Sequence, residues 1–182
     1  MEDENKVLKT IKYIKIGALI IILIIIGIFI YTKWQTNINN ERLKNYLKEE
    51  NYTKENKFNT YTNEKETDNG KIINTALSGK YIFAQRTEQL NNYNYSYYTV
   101  EYRKDNTIFI TYLEDGFNSK NEEGITSQEG TLKNGKFSCK IISNNNFDTK
   151  CDVMQKISEK YKKQIEKLLK ENKINTKYIT IK

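Results

Sequence analysis

The sequence predicts an α+β fold, with a single N-terminal transmembrane helix followed by a small antiparallel β-sheet of about four to six strands, packed by a C-terminal amphipathic helix. Three observations predict it: one long uncharged run, a central region in which apolar and polar residues alternate between tight turns, and a helical apolar stripe near the C-terminus. A succession of hairpins followed by a helix is typical of the α+β class.

The uncharged run covers residues 16–32, which are 17 residues with nine isoleucines among them. At a rise of about 1.5 Å per residue, a helix of this length spans roughly 25 Å, the short end of what a hydrocarbon core requires. Lys15 and Lys33 can extend the segment, because their long side chains reach from the bilayer edge to water. We therefore predict a transmembrane helix at residues 13–33.

A cleaved signal peptide is the main alternative for this segment. Such a peptide has an apolar stretch of roughly 7–15 residues and then small residues at a cleavage site. Here the run ends in Tyr-Thr-Lys-Trp-Gln, and Cys139 is the first cysteine of the chain, so neither a cleavage site nor a lipid-attachment cysteine is present. The segment is predicted to be an uncleaved signal-anchor.

The lysines beside the segment predict its orientation. Four lysines lie in the ten residues before the run, and residues 33–42 hold two basic residues, although extending that window to Lys48 makes the counts equal. The positive-inside rule then places the N-terminus in the cytoplasm. The expected protein is a single-pass protein of the cell membrane, with a short cytoplasmic tail at 1–12, a juxtamembrane helix and polar spacer at 34–71 and an extracellular domain at 72–182.

The region after the anchor begins with weak signals and then gives clear strands. A short helix is predicted at 37–50, and residues 48–71 contain no aliphatic side chain, which indicates a spacer or a weak outer strand. Further on, Asn134-Gly135 is a typical hairpin turn. Strands are predicted at 80–88, 97–104, 107–113, 130–133 and 136–142, with a short tail strand at 177–181.

The last predicted element is a helix at 152–171. Its apolar residues recur at helical spacing and form a single stripe, which needs an apolar surface to cover. The sheet is the available surface. The stripe consists of Val153, Met154, Ile157, Tyr161, Ile165, Leu168 and Leu169.

Composition excludes several kinds of chemistry. The chain has no histidine, so imidazole-based hydrolysis and the common zinc sites are absent, and no glycine-rich phosphate-binding motif occurs. No cofactor or metal is expected. A pair of carboxylates could still hydrolyse glycosides, and the candidates in the central region are Glu101, Glu114, Asp115, Glu122 and Glu123.

Cys139 and Cys151 are the two cysteines of the chain. In a domain outside the cytoplasm, such a pair suggests a disulfide, here one that would join the last strand to the start of the helix. Closing that loop would stabilise a small core by about 3 kcal/mol. The alternative is a pair of buried thiols in a reducing compartment.

Charge and aromatic content suggest partners without identifying one. The net charge is +7, and from Cys151 onward nine lysines face four acidic residues. A basic surface suits nucleic acid, anionic lipid headgroups or anionic wall polymers, although a solvated lysine face needs no partner. Envelope proteins and anionic wall polymers are the partners expected of an extracellular domain. Tyrosines crowd residues 91–102, which fits either a recognition surface or ordinary strand propensity. No nucleic acid is expected as partner of an extracellular domain.

Two functions remain at this stage. The first is a non-enzymatic binding or assembly module, held by the lipid bilayer through residues 13–33 and facing the exterior of a bacterium. The alternative is a carboxylate-dependent hydrolase of the cell wall. The missing histidine and phosphate-binding motifs favour the binding module.

Overall fold

The structure is a computed structural model that describes residues 2–55, 60–79, 81–91, 94–118, 120–145 and 147–180. Within these ranges it contains two α-helices, eight strands and one short 3-10 helix. They follow one another as α1 (Glu2–Glu49), β1 (Thr53–Lys54), β2 (Tyr61–Thr67), β3 (Gly70–Ser78), β4 (Tyr81–Asn91), β5 (Asn94–Arg103), β6 (Ile108–Phe117), β7 (Glu123–Lys133), β8 (Lys136–Asn144), α2 (Cys151–Glu171) and η1 (Thr176–Tyr178).

The chain divides into two compact units, Met1–Ile38 and Asn39–Lys182, with the division inside α1. In the first unit, the large apolar side chains from Tyr13 to Trp34 are exposed along the helix. Among the described residues, one helix, Tyr13–Glu49, is long and apolar enough to span a membrane. Its apolar segment is the one that sequence analysis assigned to the bilayer.

The second unit contains one antiparallel sheet in which the eight strands are hydrogen-bonded in chain order. The expected number of four to six strands is therefore wrong. The additional strands include β1 and β2, which fall in the region without aliphatic residues, and β3, which pairs with β2 along its length. Backbone hydrogen bonds hold β1 and β2, whose polar side chains give little apolar pattern for sequence analysis to detect.

The core lies between one face of the sheet, called the inner face, and the helices. Phe83, Val100 and Ile110 are on the inner face, where successive strands align them with other buried residues. Leu43 and Leu47, in the last turns of α1, are fully buried in the same cluster. The sheet is therefore covered by α2 and by the end of α1.

Helix α2 packs on the sheet with the predicted stripe, and it contacts β5, β6 and β7. Met154, Tyr161, Ile165 and Leu169 are buried, as the amphipathic pattern predicted. Val153, by contrast, is 44% exposed and does not belong to the packed face. At the end of a helix, spacing alone does not show whether an apolar residue contacts the sheet.

The C-terminal segment differs from its prediction. In place of a tail strand, the structure has the 3-10 helix η1 at Thr176–Tyr178, followed by Ile179, which is buried. The end of the predicted strand at Ile181, like Lys80 at the start of another predicted strand, lies outside the described residues. Lys104 donates from Nζ to the Ile179 carbonyl at 2.7 Å, so the tail is attached through its backbone.

Candidate functional site

A cleft lies beside α2, where the helix leaves part of the inner face uncovered. Residues of α2, of the end of α1 and of the inner face from β2 to β5 line this cleft. Two cavities occupy this position, and Gln85 on β4 and Tyr161 and Gln164 on α2 line both of them. We refer to these two adjoining cavities as the cleft, since the shared lining makes them one elongated depression.

The first cavity has a volume of about 230 Å³. Its lining combines aromatic rings with side-chain amides and two opposite charges. Tyr46 and Phe83 meet edge to face with their ring centroids 6.1 Å apart, which fixes one wall. The lining residues besides the three shared ones are Tyr46, Glu50, Tyr52, Asn63, Lys65, Asn74, Phe83, Ile165 and Leu168.

The second cavity has a volume of about 310 Å³. Tyr98 forms part of its wall, and the Tyr98 ring stacks on that of Tyr112 with centroids 4.4 Å apart. The Tyr112 hydroxyl in turn donates to the Glu114 carboxylate. The stacked ring and this hydrogen bond together hold Tyr112, which supports Tyr98. The remaining lining residues are Thr87, Gln89, Val100, Ile157 and Lys160.

Amide side chains give the cleft its hydrogen-bonding capacity. Gln85 Nε2 donates to Asn74 Oδ1 at 2.9 Å, which leaves the Gln85 carbonyl oxygen and the Asn74 amino group for other partners. Asn63 Nδ2 donates to the Glu50 backbone carbonyl at 2.7 Å. The Asn63 Oδ1 atom is buried and accepts no hydrogen bond from the described residues, an arrangement that a donor entering the cavity would satisfy.

The cleft tyrosines are held in their protonated form. Burial raises the pKa of Tyr52 to about 12, with a further contribution from the Glu50 charge. Burial raises the pKa of Tyr98 to about 12 as well, and the Glu114 charge adds to the effect. Burial also raises the pKa of Tyr46 and Tyr161 above the ordinary value. At neutral pH these four phenols are uncharged groups that can donate or accept a hydrogen bond.

The two cavities differ in charge. Glu50 and Lys65 both line the first cavity, so their formal charges cancel there. Lys160 is the one charged residue among those that line the second cavity, and no carboxylate of the described residues forms an ion pair with it. Lys160, an exposed side chain, is therefore the charged group of this lining, while the Glu114 carboxylate lies behind the wall, hydrogen-bonded to the Tyr112 hydroxyl.

The carboxylates that sequence analysis named do not form a pair in the cleft. Glu114 and Asp115 are neighbours on β6 and so face opposite sides of the sheet. Glu101 pairs with Arg103 at 2.9 Å, and Glu122 accepts a hydrogen bond from Asn118 in the turn before β7. Glu123 begins β7, opposite Phe117. None of the five is among the residues that line either cavity.

Cys139 and Cys151 are close enough for a disulfide. Their sulfur atoms are 2.00 Å apart and their Cα atoms 5.8 Å apart. Cys139 is on β8, opposite Gly130 of β7, and Cys151 is the first residue of α2. A bond here ties the start of the helix to the edge of the sheet and thereby supports the position of α2 beside the cleft.

Comparisons of the chain with protein-family models, with characterised proteins and with solved structures found no match. The cleft itself was not predicted from the sequence. Sequence analysis placed Tyr161 in the helix stripe, and its tyrosine-rich stretch at 91–102 includes Tyr98, but it gave no role to Gln85, Asn63 or Gln164. In a chain rich in Asn, side-chain amides that lie far apart in the sequence give no signal until the fold brings them together.

Proposed function

We propose that this chain is a membrane-tethered binding module, which places the cleft outside the cell and does not catalyse a reaction. The observation that carries the proposal is the cleft: two adjoining cavities in which amides and protonated phenols converge. Pockets that combine apolar walls with a few converging polar groups are the usual form of ligand sites.

The membrane part of the proposal is supported by the first unit. Its exposed apolar helix would be unfavourable in water, and a bilayer is the environment that accommodates such a surface. The excess of lysines before the segment favours a cytoplasmic N-terminus. The distance between Cys139 and Cys151 fits a disulfide, which persists in oxidising surroundings outside the cytoplasm.

Binding is favoured over hydrolysis by the residues that line the cleft. Glycoside hydrolysis requires two carboxylates at a defined separation. Glu50 is the one carboxylate among the residues that line the cavities, and the cation Lys65 lines the same cavity. Hydrogen-bonding groups that are neutral at pH 7 suit recognition of a ligand with many polar groups.

The proposal can be tested with the full-length chain in detergent micelles, used to capture ligands from solubilised wall fragments and envelope proteins. Gln164→Ala removes an exposed amide that lines both cavities, and Gln155→Ala removes an exposed amide of the same helix that lines neither. We expect Gln164→Ala to lose the captured ligand and Gln155→Ala to retain it. Equal capture by all three proteins contradicts the proposal. Turnover of a wall glycan that stops when one acidic residue is neutralised would support the hydrolase.

A further inference from the structure

We propose that the ligand of the cleft is an acidic glycan, with its sugar rings among the amides and tyrosines and its anionic substituent next to Lys160. This inference rests on the proposed binding function and names the ligand class for the same site. It is carried by three features of the cleft: the kind of hydrogen-bonding groups, the presence of aromatic walls and the unequal charge of the two cavities.

The amides match a ligand with many hydroxyl groups. A hydroxyl donates one hydrogen bond and accepts others, and an amide side chain offers both a carbonyl acceptor and an amino donor. The Gln85 carbonyl and the Asn74 amino group provide such a pair, and the buried Asn63 Oδ1 lacks a donor among the described residues. An apolar ligand would bury these groups without partners, which is unfavourable. A hydroxylated ligand would satisfy them.

The aromatic walls match the apolar faces of a sugar ring. A pyranose has C–H groups on its faces, and these pack on the apolar face of an aromatic ring while its hydroxyls stay at the edge. Tyr98 provides such a ring in the second cavity, and its stacking on Tyr112 holds it in place. Tyr46 provides a ring in the first cavity, and the buried Phe83 supports it by an edge-to-face contact. Each cavity can thus pack one sugar ring.

The shape of the cleft indicates a ligand longer than one sugar. Gln85, Tyr161 and Gln164 line both cavities, so a bound chain can pass from one cavity to the other beside the same three side chains. A disaccharide is the shortest glycan that would use both cavities. Longer chains can continue past the cleft at either end.

The difference in charge between the two cavity linings indicates that the ligand carries an acidic group. Lys160 lines the second cavity without a carboxylate partner among the described residues, whereas Glu50 balances Lys65 in the first. A carboxylate or phosphate substituent on the sugar in the second cavity would neutralise Lys160. A neutral glycan would leave Lys160, which is exposed, with water as its partner and would gain no ion pair.

The experiment uses the full-length chain in nanodiscs of zwitterionic lipid and two matched probes. One is the disaccharide of N-acetylglucosamine and N-acetylmuramic acid, which carries a lactyl carboxylate, and the other is N,N′-diacetylchitobiose, which lacks it. We expect calorimetry to give tighter binding of the acidic disaccharide. Lys160→Gln should weaken that binding about fivefold, the effect of one exposed ion pair, and leave the neutral probe unchanged. Lys156→Gln, one turn away and outside the lining, should change neither.

Two results would overturn the inference. Equal affinity for the two probes with no effect of Lys160→Gln would show that the cleft does not recognise the acidic group. Binding of neither disaccharide would reject a glycan ligand of this kind. In that second case, loss of envelope capture in Gln164→Ala would leave the binding function standing, whereas unchanged capture would reject both proposals.

Discussion

The side-chain carbonyl of Gln128 accepts a hydrogen bond at 2.8 Å from the backbone N–H of Lys150, the residue that precedes α2. Gln128 is fully buried on β7, and its amide also donates to the Thr126 hydroxyl at 3.1 Å. Lys150 provides no side-chain cap for the helix. A buried glutamine of the sheet therefore supplies a fixed contact for the start of α2, next to the cysteine pair.

Gln128→Leu should destabilise the second unit, because it keeps most of the side-chain volume but leaves the Lys150 N–H without its acceptor. A lost partner of this kind costs about 1–3 kcal/mol. Urea denaturation of the full-length chain, followed by tyrosine fluorescence, would measure the change. Gln155→Leu on the exposed side of α2 is the matched control and should stay within about 0.5 kcal/mol of wild type. Equal stability of both variants would show that the contact is dispensable.

Ile165→Asp should unfold the second unit. Ile165 is 7% exposed in the core under α2, and an isolated carboxylate there costs several kcal/mol, a large part of the stability of a small domain. Val153→Asp places the same residue on the same helix at a position that is 44% exposed, and should remain folded. Circular dichroism would distinguish them. A folded Ile165→Asp variant that loses only partner binding would mean that the apolar stripe is an interface.

The second unit should lose stability at alkaline pH. The pKa of Tyr52 and that of Tyr98 are each raised to about 12 in the folded chain, against about 10 for an unfolded tyrosine. The folded state then retains protons that the unfolded state releases, so this contribution is complete below pH 10 and declines as the pH rises toward 12. Thermal melts between pH 8 and pH 11.5 would measure it. Phenolate absorbance showing that every tyrosine titrates near pH 10 in the folded chain would contradict it.

Reduction should lower the melting temperature of the second unit. A disulfide with a sequence separation of 12 between its cysteines stabilises by about 3 kcal/mol, which corresponds to about 6–12 °C for a domain of this size. The double variant Cys139→Ser, Cys151→Ser should melt lower by a similar amount and show no response to dithiothreitol. An identical melting temperature for wild type with and without reductant would show that the bond contributes no stability.

The sequence predicted those parts of the fold whose residues follow a regular period. The uncharged run, the alternation in β5 and the stripe of α2 each give such a pattern. β2 has the sequence Tyr-Thr-Asn-Glu-Lys-Glu-Thr, and its place in the sheet depends on pairing with β3, which a single-sequence pattern does not record. The cleft is lined by both β4 and α2, which are separated in the chain by four strands, so the amides of Gln85 and Gln164 carried no signal by themselves.

The location of the cleft outside the cell is tested most directly by treating intact cells with a membrane-impermeant protease. The released fragment would then be alkylated with and without prior reduction. We predict cleavage of the second unit in intact cells and labelling of Cys139 and Cys151 only after reduction, because the domain lies outside and the two sulfurs are bonded. Protection of the domain until the cells are lysed would place it in the cytoplasm and contradict the account.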